Sequence, residues 1–292
     1  LMGTAIGERL LGLGHQLVVY NRTAEKTTPL RTRGAVVAPT PVEAVEASPL
    51  TILVLAHAQA IHEVLLSALD RVRLEGKTIL QMGTIGREES QAIHQVITCQ
   101  AGDYFEAPVL GSLAEARAGK LLVMVGGTHA QVDRWHDVLH DLGEVFMVGS
   151  IGQAATLKLA LNQLIASHMT AFSLSLGLVQ RSGIPEELFL EILRRSALMA
   201  PMFEKKWPKI WARNYANPNF PTRHLLKDVS LILQAARSAQ LDTTVLEAIH
   251  HILQQTVEQG LGDLDYSSLY EMMVHAGRDG EGPHGEGGAF NA

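Results

Sequence analysis

One cysteine, Cys99, stands in 292 residues, so no internal disulfide framework is possible and the chain suits a reducing cytoplasm. No basic cluster interrupts a net charge of −6, which leaves no electrostatic footprint for nucleic acid. No signal peptide is visible at the start, and no internal repeat runs through the sequence. The stretch Leu159–Val179 is long enough to test as a membrane span. It carries Asn162, Gln163, Ser167, His168, Thr170, Ser173 and Ser175, too many polar groups for a lipid-facing helix, so a core helix is expected and no membrane partner. The most telling absence is local. Between Glu144 and Arg181 the only Lys, Arg, Asp or Glu is Lys158.

What is present suits two domains of ordinary size, with a hydrophobic content of 47%. The first half alternates. Apolar strands are expected at Leu17–Tyr20, Leu50–Leu55, Thr78–Met82, Tyr104–Val109, Leu121–Val125 and Val145–Val148. Helical patterns fall around Ala24–Arg33, Ile61–Leu69, Glu88–Thr98 and Ala130–Leu139. Unalternating apolar strands separated by helices indicate a parallel sheet covered on both faces. From Gly152 onward the periods are helical: a long helix to about Arg181, then Pro185–Ser196, Pro201–Trp211, His224–Ala239 and Thr244–Gln259. The expected organisation is an α/β domain over residues 1–150, an all-helical domain over 151–275, and a Gly-rich disordered tail over 276–292.

The Lys158 helix is apolar on nearly every side, as a buried helix is, and a lone ammonium there is costly. It either snorkels to water or lines a cleft that receives something anionic or reactive. Asn162 lies one turn on, on the same face. The first residues, Leu-Met2-Gly3-Thr-Ala-Ile-Gly7, and the strand after Gly14-His15 read as the second half of a Rossmann fingerprint whose first strand and first two glycines are missing from this chain. Asn21-Arg22-Thr23 stands where an acid would read a ribose hydroxyl. All three side chains can donate to a phosphate, although Thr23 as a helix cap explains the same residues. Met82-Gly83-Thr84 follows a strand at the carboxyl edge of the sheet, where ligands collect; a helix cap is the alternative for Thr84. Glu106-Ala-Pro-Val-Leu-Gly111-Ser112 ends another strand in a turn whose free N–H groups suit a carboxylate, or in an ordinary turn. Lys227 and Asp228 flank an apolar stripe and by themselves read as a solvated face.

Taken together, these motifs resemble the β-hydroxyacid dehydrogenase family, the relatives of 3-hydroxyisobutyrate dehydrogenase, with a look of its glyoxylate/succinic semialdehyde reductases. They occur in the family order from Leu1 to about Met273, ending in Asp265-Tyr-Ser267. The resemblance implies a Rossmann-type domain and an all-α domain joined by a long helix, and an NAD(P)-dependent oxidoreductase acting on C=O/CH–OH. It implies Lys158 as general acid/base and Asn162 as the substrate-orienting amide. Met2, Gly3, Asn21, Arg22, Thr23, Thr84 and Lys227 match cofactor positions, with NADP(H) preferred over NAD(H). Gly111, Ser112, Phe220 and Asp228 match positions shaping the substrate site, and no metal is implied. A homodimer or homotetramer is the expected assembly.

Two departures bear on chemistry. The family's Asp-x-Ser-Thr is Gln81-Met-Gly83-Thr84 here, and its Pro-Val-Ser-Gly is Pro108-Val-Leu110-Gly111, so an isobutyl group replaces a carboxylate-binding hydroxyl, with Ser112 as a partial substitute. Three readings follow: an NADPH-dependent reductase of a small aldehyde or keto acid, an imine reductase-like enzyme, or a dinucleotide-binding module without turnover. Lys158 favours the first.

Overall fold

The computed structural model describes residues 1–275; the expected disordered tail lies outside the described residues. Two compact units emerge, Leu1–Ile165 with His224–Glu247, and Ala166–Arg223 with the chain from Ala248.

The first unit holds the strands: β1 (Val18–Val19), β2 (Val36–Val37), β3 (Leu50–Leu53), β4 (Thr78–Gln81), β5 (Asp103–Glu106), β6 (Val109–Leu110), β7 (Leu121–Gly126) and β8 (Gly143–Gly149). β1 and β2 form a parallel pair of their own. β3, β4 and β5 run parallel, with Gln81 at the end of β4 in register with Glu106 at the end of β5. The expected parallel sheet needs one correction. β7 is antiparallel to β5 and β6 and parallel to β8. Only a short helix, Leu113–Ala118, and a left-handed turn at Gly119 (φ +67°) separate β6 from β7. Parallel neighbours need a crossover of a dozen or more residues, and this connection is too short for one.

Alternation along the strands feeds two cores. Leu80 and Phe105 join Ala5, Ile6 and Leu10 of the Met2–Gly12 helix, with Val123, Val125, Leu139 and Leu142. Ile79 and Tyr104 point the other way, to Ile61, Leu65, Ile93 and Ile97. Successive side chains on a strand face opposite sides, so the sheet is covered on both.

The helix Gln153–Arg181 spans 29 residues, about 43 Å at the usual rise. No helix among the described residues is long and apolar enough to cross a membrane. The second unit is built from the later part of that helix with Glu186–Arg194, Pro201–Trp211 and Leu269–His275. Phe172 and Phe203 stack there, with centroids 4.5 Å apart. The expected helix at Thr244–Gln259 ends at Thr256, because a π-helical turn at Val257–Leu261 carries Gly260 in the left-handed region.

Candidate active site

Four of the expected site residues meet in the first unit around one amine. Lys158 is half-buried and makes no hydrogen bond among the described residues. Burial lowers its ammonium from 10.5 to about 8; the Asp228 carboxylate raises it and the Lys227 charge lowers it further. Asn162 and Asp228 are almost fully buried, at 1% and 2% exposure. The Asn162 amide donates from Nδ2 to Asp228 Oδ2 at 2.6 Å. A carboxylate can only accept, so this bond fixes the amide orientation and leaves Asn162 Oδ1 as a buried acceptor without a partner. Lys227 Nζ lies 2.5 Å from Asp228 Oδ1, off the hydrogen-bonding direction, and donates to the Thr84 carbonyl at 2.7 Å. Lys227 thereby ties the helix Thr222–Ser238 to the turn after β4.

Some bland expectations fail here. Lys227 and Asp228 are not a solvated face. Thr84 is not a helix cap: the next helix, Arg87–Cys99, is capped at Gly86, whose N–H donates to Glu89 Oε2 at 2.7 Å. Thr23 makes no side-chain cap bond; its N–H donates to Asn21 Oδ1 at 2.9 Å. Asn21, Arg22 and Thr23 are exposed beyond β1, and Arg22 reaches Glu63 at 3.6 Å with its side chain 79% exposed.

The start of the long helix is held from the sheet. Glu106 Oε1 accepts from the N–H groups of Gly152 and Ala155 at 2.8 and 3.0 Å, and Oε2 accepts from the Ser90 hydroxyl. Sequence reading passed over this role, because nothing local links a strand end to a helix about fifty residues on. Gly111 and Ser112 follow β6. Gly111 has φ +150°, and a methyl there would stand 2.6 Å from Leu121, so the position needs glycine. Ser112 forms a capping box with Glu115: Oγ accepts from Glu115 N–H at 3.4 Å and keeps its own proton to donate elsewhere. Phe220 belongs to the second unit, half-buried with its ring edge-on to Tyr266 at 5.7 Å.

The first unit also carries features that fit a dinucleotide. The first turn of Met2–Gly12 has no side-chain cap and no acidic residue, so its N–H groups remain available to phosphate. A methyl on Gly83 would stand 2.4 Å from the Leu55 carbonyl, so the backbone passes this strand end closer than any side chain allows.

Residues 1–151 match the NAD binding domain of 6-phosphogluconate dehydrogenase, and residues 152–273 match the NAD-binding region of NADP-dependent 3-hydroxyisobutyrate dehydrogenase. Glyoxylate/succinic semialdehyde reductase 1 of Arabidopsis thaliana is 33% identical over 275 residues, covering 93% of this chain and 94% of that protein. The chain belongs to the β-hydroxyacid dehydrogenase family. It is an NAD(P)-dependent oxidoreductase of the hydroxyacid dehydrogenase and semialdehyde reductase type. Another family relative, the cytokine-like nuclear factor N-PAC of Xenopus tropicalis, is 28% identical over 94% of this chain, which spans only 52% of that protein. The dehydrogenase fold is shared with 3-hydroxyisobutyrate dehydrogenase from Salmonella typhimurium, at a TM-score of 0.84 and 21% identity over 93% of this chain and 96% of that one. That agrees with a Rossmann-type unit of mainly parallel strands and a helical part, the fold class expected from the sequence.

Proposed function

We propose that this dehydrogenase reduces a small aldehyde or keto acid with NADPH, and runs the reverse oxidation, using Lys158 as general acid and base. One observation carries the reading. The amine is half-buried, has no hydrogen bond among the described residues, and is shifted to about 8 beside the Asp228 carboxylate. A pKa near working pH makes both protonation states accessible, which acid–base catalysis needs.

The bound nicotinamide supplies the hydride. Lys158 Nζ gives its proton to the carbonyl oxygen as that oxygen gains charge. Asp228 favours the ammonium and holds the Asn162 amide still. The unpartnered Asn162 Oδ1 then accepts from a substrate hydroxyl, which is how this amide orients. Gly111 and Ser112 shape the substrate end, with Ser112 donating the proton that its capping role leaves free. Thr84 and Lys227 serve the nicotinamide end, and the open turn at Met2 and Gly3 takes the pyrophosphate. Residues 1–150 form the cofactor part and 151–275 the substrate and assembly part of a cytoplasmic dimer or tetramer.

Turnover tests the central role. Lys158→Ala lowers kcat across a panel of aldehydes by roughly 10²–10⁴-fold, the usual range for a lost general acid, and leaves NADPH affinity nearly unchanged. Near-full carbonyl reduction by Lys158→Ala would refute the assignment and favour an imine reductase-like reading. Cofactor choice has its own test. Arg22 is exposed beyond β1 and able to donate to a 2′-phosphate, so NADPH is expected to bind about ten-fold or more tightly than NADH, the worth of one charge-assisted contact. Arg22→Ala removes most of that difference, and equal affinities in the parent enzyme would overturn the preference. A second reading is a dinucleotide-binding module without turnover. NADPH binding with no oxidation across the panel would select it.

A further inference from the structure

Glu106 closes β5 at 1% exposure, yet the chemistry proposed for Lys158 does not use it. Its carboxylate bridges two helices. Oε1 takes the N–H groups of Gly152 and Ala155, and Oε2 takes the Ser90 hydroxyl from the helix Arg87–Cys99. Ser90 Oγ lies 2.8 Å from the Tyr104 hydroxyl, so the acid sits in a fully buried polar chain. Room for it comes from Gly126, its register partner on β7, where a methyl would stand 2.5 Å from Oε1.

A local cap is already present. The Ser150 N–H donates to Gln153 Oε1 at 2.7 Å. That bond leaves the Gly152 and Ala155 N–H groups to Glu106, which, from the end of β5, fixes the first turn of the long helix to the sheet. Negative charge at a helix N-terminus is favourable in its own right. Lys158 follows Ala155 by three residues, on the same side of the helix one turn later. The matching link is Lys227, whose bond to the Thr84 carbonyl ties the Asp228 helix to the turn after β4. β4 and β5 are hydrogen-bonded neighbours with Gln81 opposite Glu106. Two adjacent strand ends thus hold the two helices that carry Lys158 and Asp228.

We propose that Glu106 is a positioning residue that sets where the Lys158 amine stands relative to Asp228, by anchoring the first turn of the Lys158 helix to β5. This rests on the reading of Lys158 as the proton donor.

The test compares Glu106→Met, which removes both acceptors, with Glu106→Gln, which keeps an acceptor toward Gly152 and Ala155. Each is made in the full chain with Lys158 intact and with Lys158→Ala. kcat, KM and the kinetic pKa are measured with NADPH and an aldehyde, and the Lys158 pKa is read independently by NMR of labelled lysine without turnover. Glu106→Met lowers kcat roughly 10- to 100-fold, the cost of about an ångström of misplacement, and moves the Lys158 pKa away from about 8. NADPH affinity stays within about two-fold and Glu106→Gln restores kcat to within about three-fold, as a change confined to lysine geometry requires. In the Lys158→Ala background Glu106→Met costs little more. A folded Glu106→Met enzyme with unchanged kcat and lysine pKa overturns the proposal, as does an undiminished loss in the Lys158→Ala background. Should Glu106→Met not fold, Glu106→Asp pulls the carboxylate back by one methylene and must still shift the lysine pKa; an unshifted value overturns the proposal. If Lys158→Ala alone keeps full activity, the lysine reading fails, and the NMR pKa in the Glu106 variants still decides whether the acid positions the amine.

Discussion

At the scale of the residue, Lys158 is defined by the water it lacks. Burial disfavours its ammonium and the Asp228 carboxylate opposes that only in part, so the amine titrates at about 8. The direction of the pH effect follows. With Lys158 as the proposed proton donor, reduction needs the protonated lysine and its rate falls as pH rises through about 8, while the reverse oxidation needs the free amine and rises over the same interval. A kcat–pH profile in each direction checks this, and profiles flat from 7 to 9 would remove the lysine from the chemistry. Stability follows the free amine and rises with pH. Between about 8 and 10.5 the unfolded chain binds a proton at Lys158 that the folded chain does not, so this group adds stability as pH rises through that window, and its cost is constant below it. The charge gap between Glu144 and Arg181 made the lysine legible in the sequence. Its partners were less so. Asn162 shares its face by helical spacing, but the bond from Asn162 to Asp228 crosses sixty-six residues, and Glu106 reaches the helix from a different strand. Pattern reading sees neighbours three and four apart; long-range polar bonds leave no period.

At the scale of the element, the second unit carries a buried charge pair. Lys206 on the helix Pro201–Trp211 sits 2.8 Å from both oxygens of Asp265, with the two residues 7% and 0% exposed, and its ammonium lies 4.3 Å from the centre of the Tyr266 ring. Burial lowers the lysine pKa and Asp265 raises it. Removing one member of a buried pair leaves an uncompensated charge, which costs about 3–5 kcal/mol. Lys206→Met falls at the lower end of that range, because Ser267 still donates to Asp265 from both Oγ and N–H. Urea unfolding followed by hydrogen exchange over the Pro201–Trp211 helix measures it, and a variant as stable as the parent would show the pair to be dispensable. Elements themselves were legible where they were long. Pro201–Trp211 opens and closes where its proline and apolar period place it. Short pieces were missed: β2, the Leu113–Ala118 helix and the turn around Tyr266–Ser268 are too brief to show a period. The expected helix Ala130–Leu139 breaks at Trp135, whose backbone leaves the helical region between two short helices.

At the scale of the whole molecule, large apolar side chains stand exposed among the described residues. The sequence suggested an all-round buried helix at Gln153–Arg181, yet in the second unit Leu174 and Leu178 face solvent one turn apart, the latter 69% exposed. Leu188 and Ile192 repeat the pattern on Glu186–Arg194, and Leu198 is 77% exposed. Single exposed leucines are ordinary, but two pairs at i, i+4 spacing make stripes of the kind that helices bury against another helix. A second copy of the chain is the occupant that the proposed dimer or tetramer supplies, and such an interface buries well over about 1,000 Å². Light scattering at micromolar concentration then returns two or four times the 31.7 kDa chain mass. Leu178→Glu combined with Ile192→Glu places a charge in each stripe and shifts the mass toward one chain. The fold of each unit survives this change, because both side chains already face water. A parent enzyme that runs as a single chain would end the assembly reading while leaving the lysine chemistry untouched, since Lys158, Asn162, Asp228, Lys227 and Thr84 all belong to the first unit of one chain.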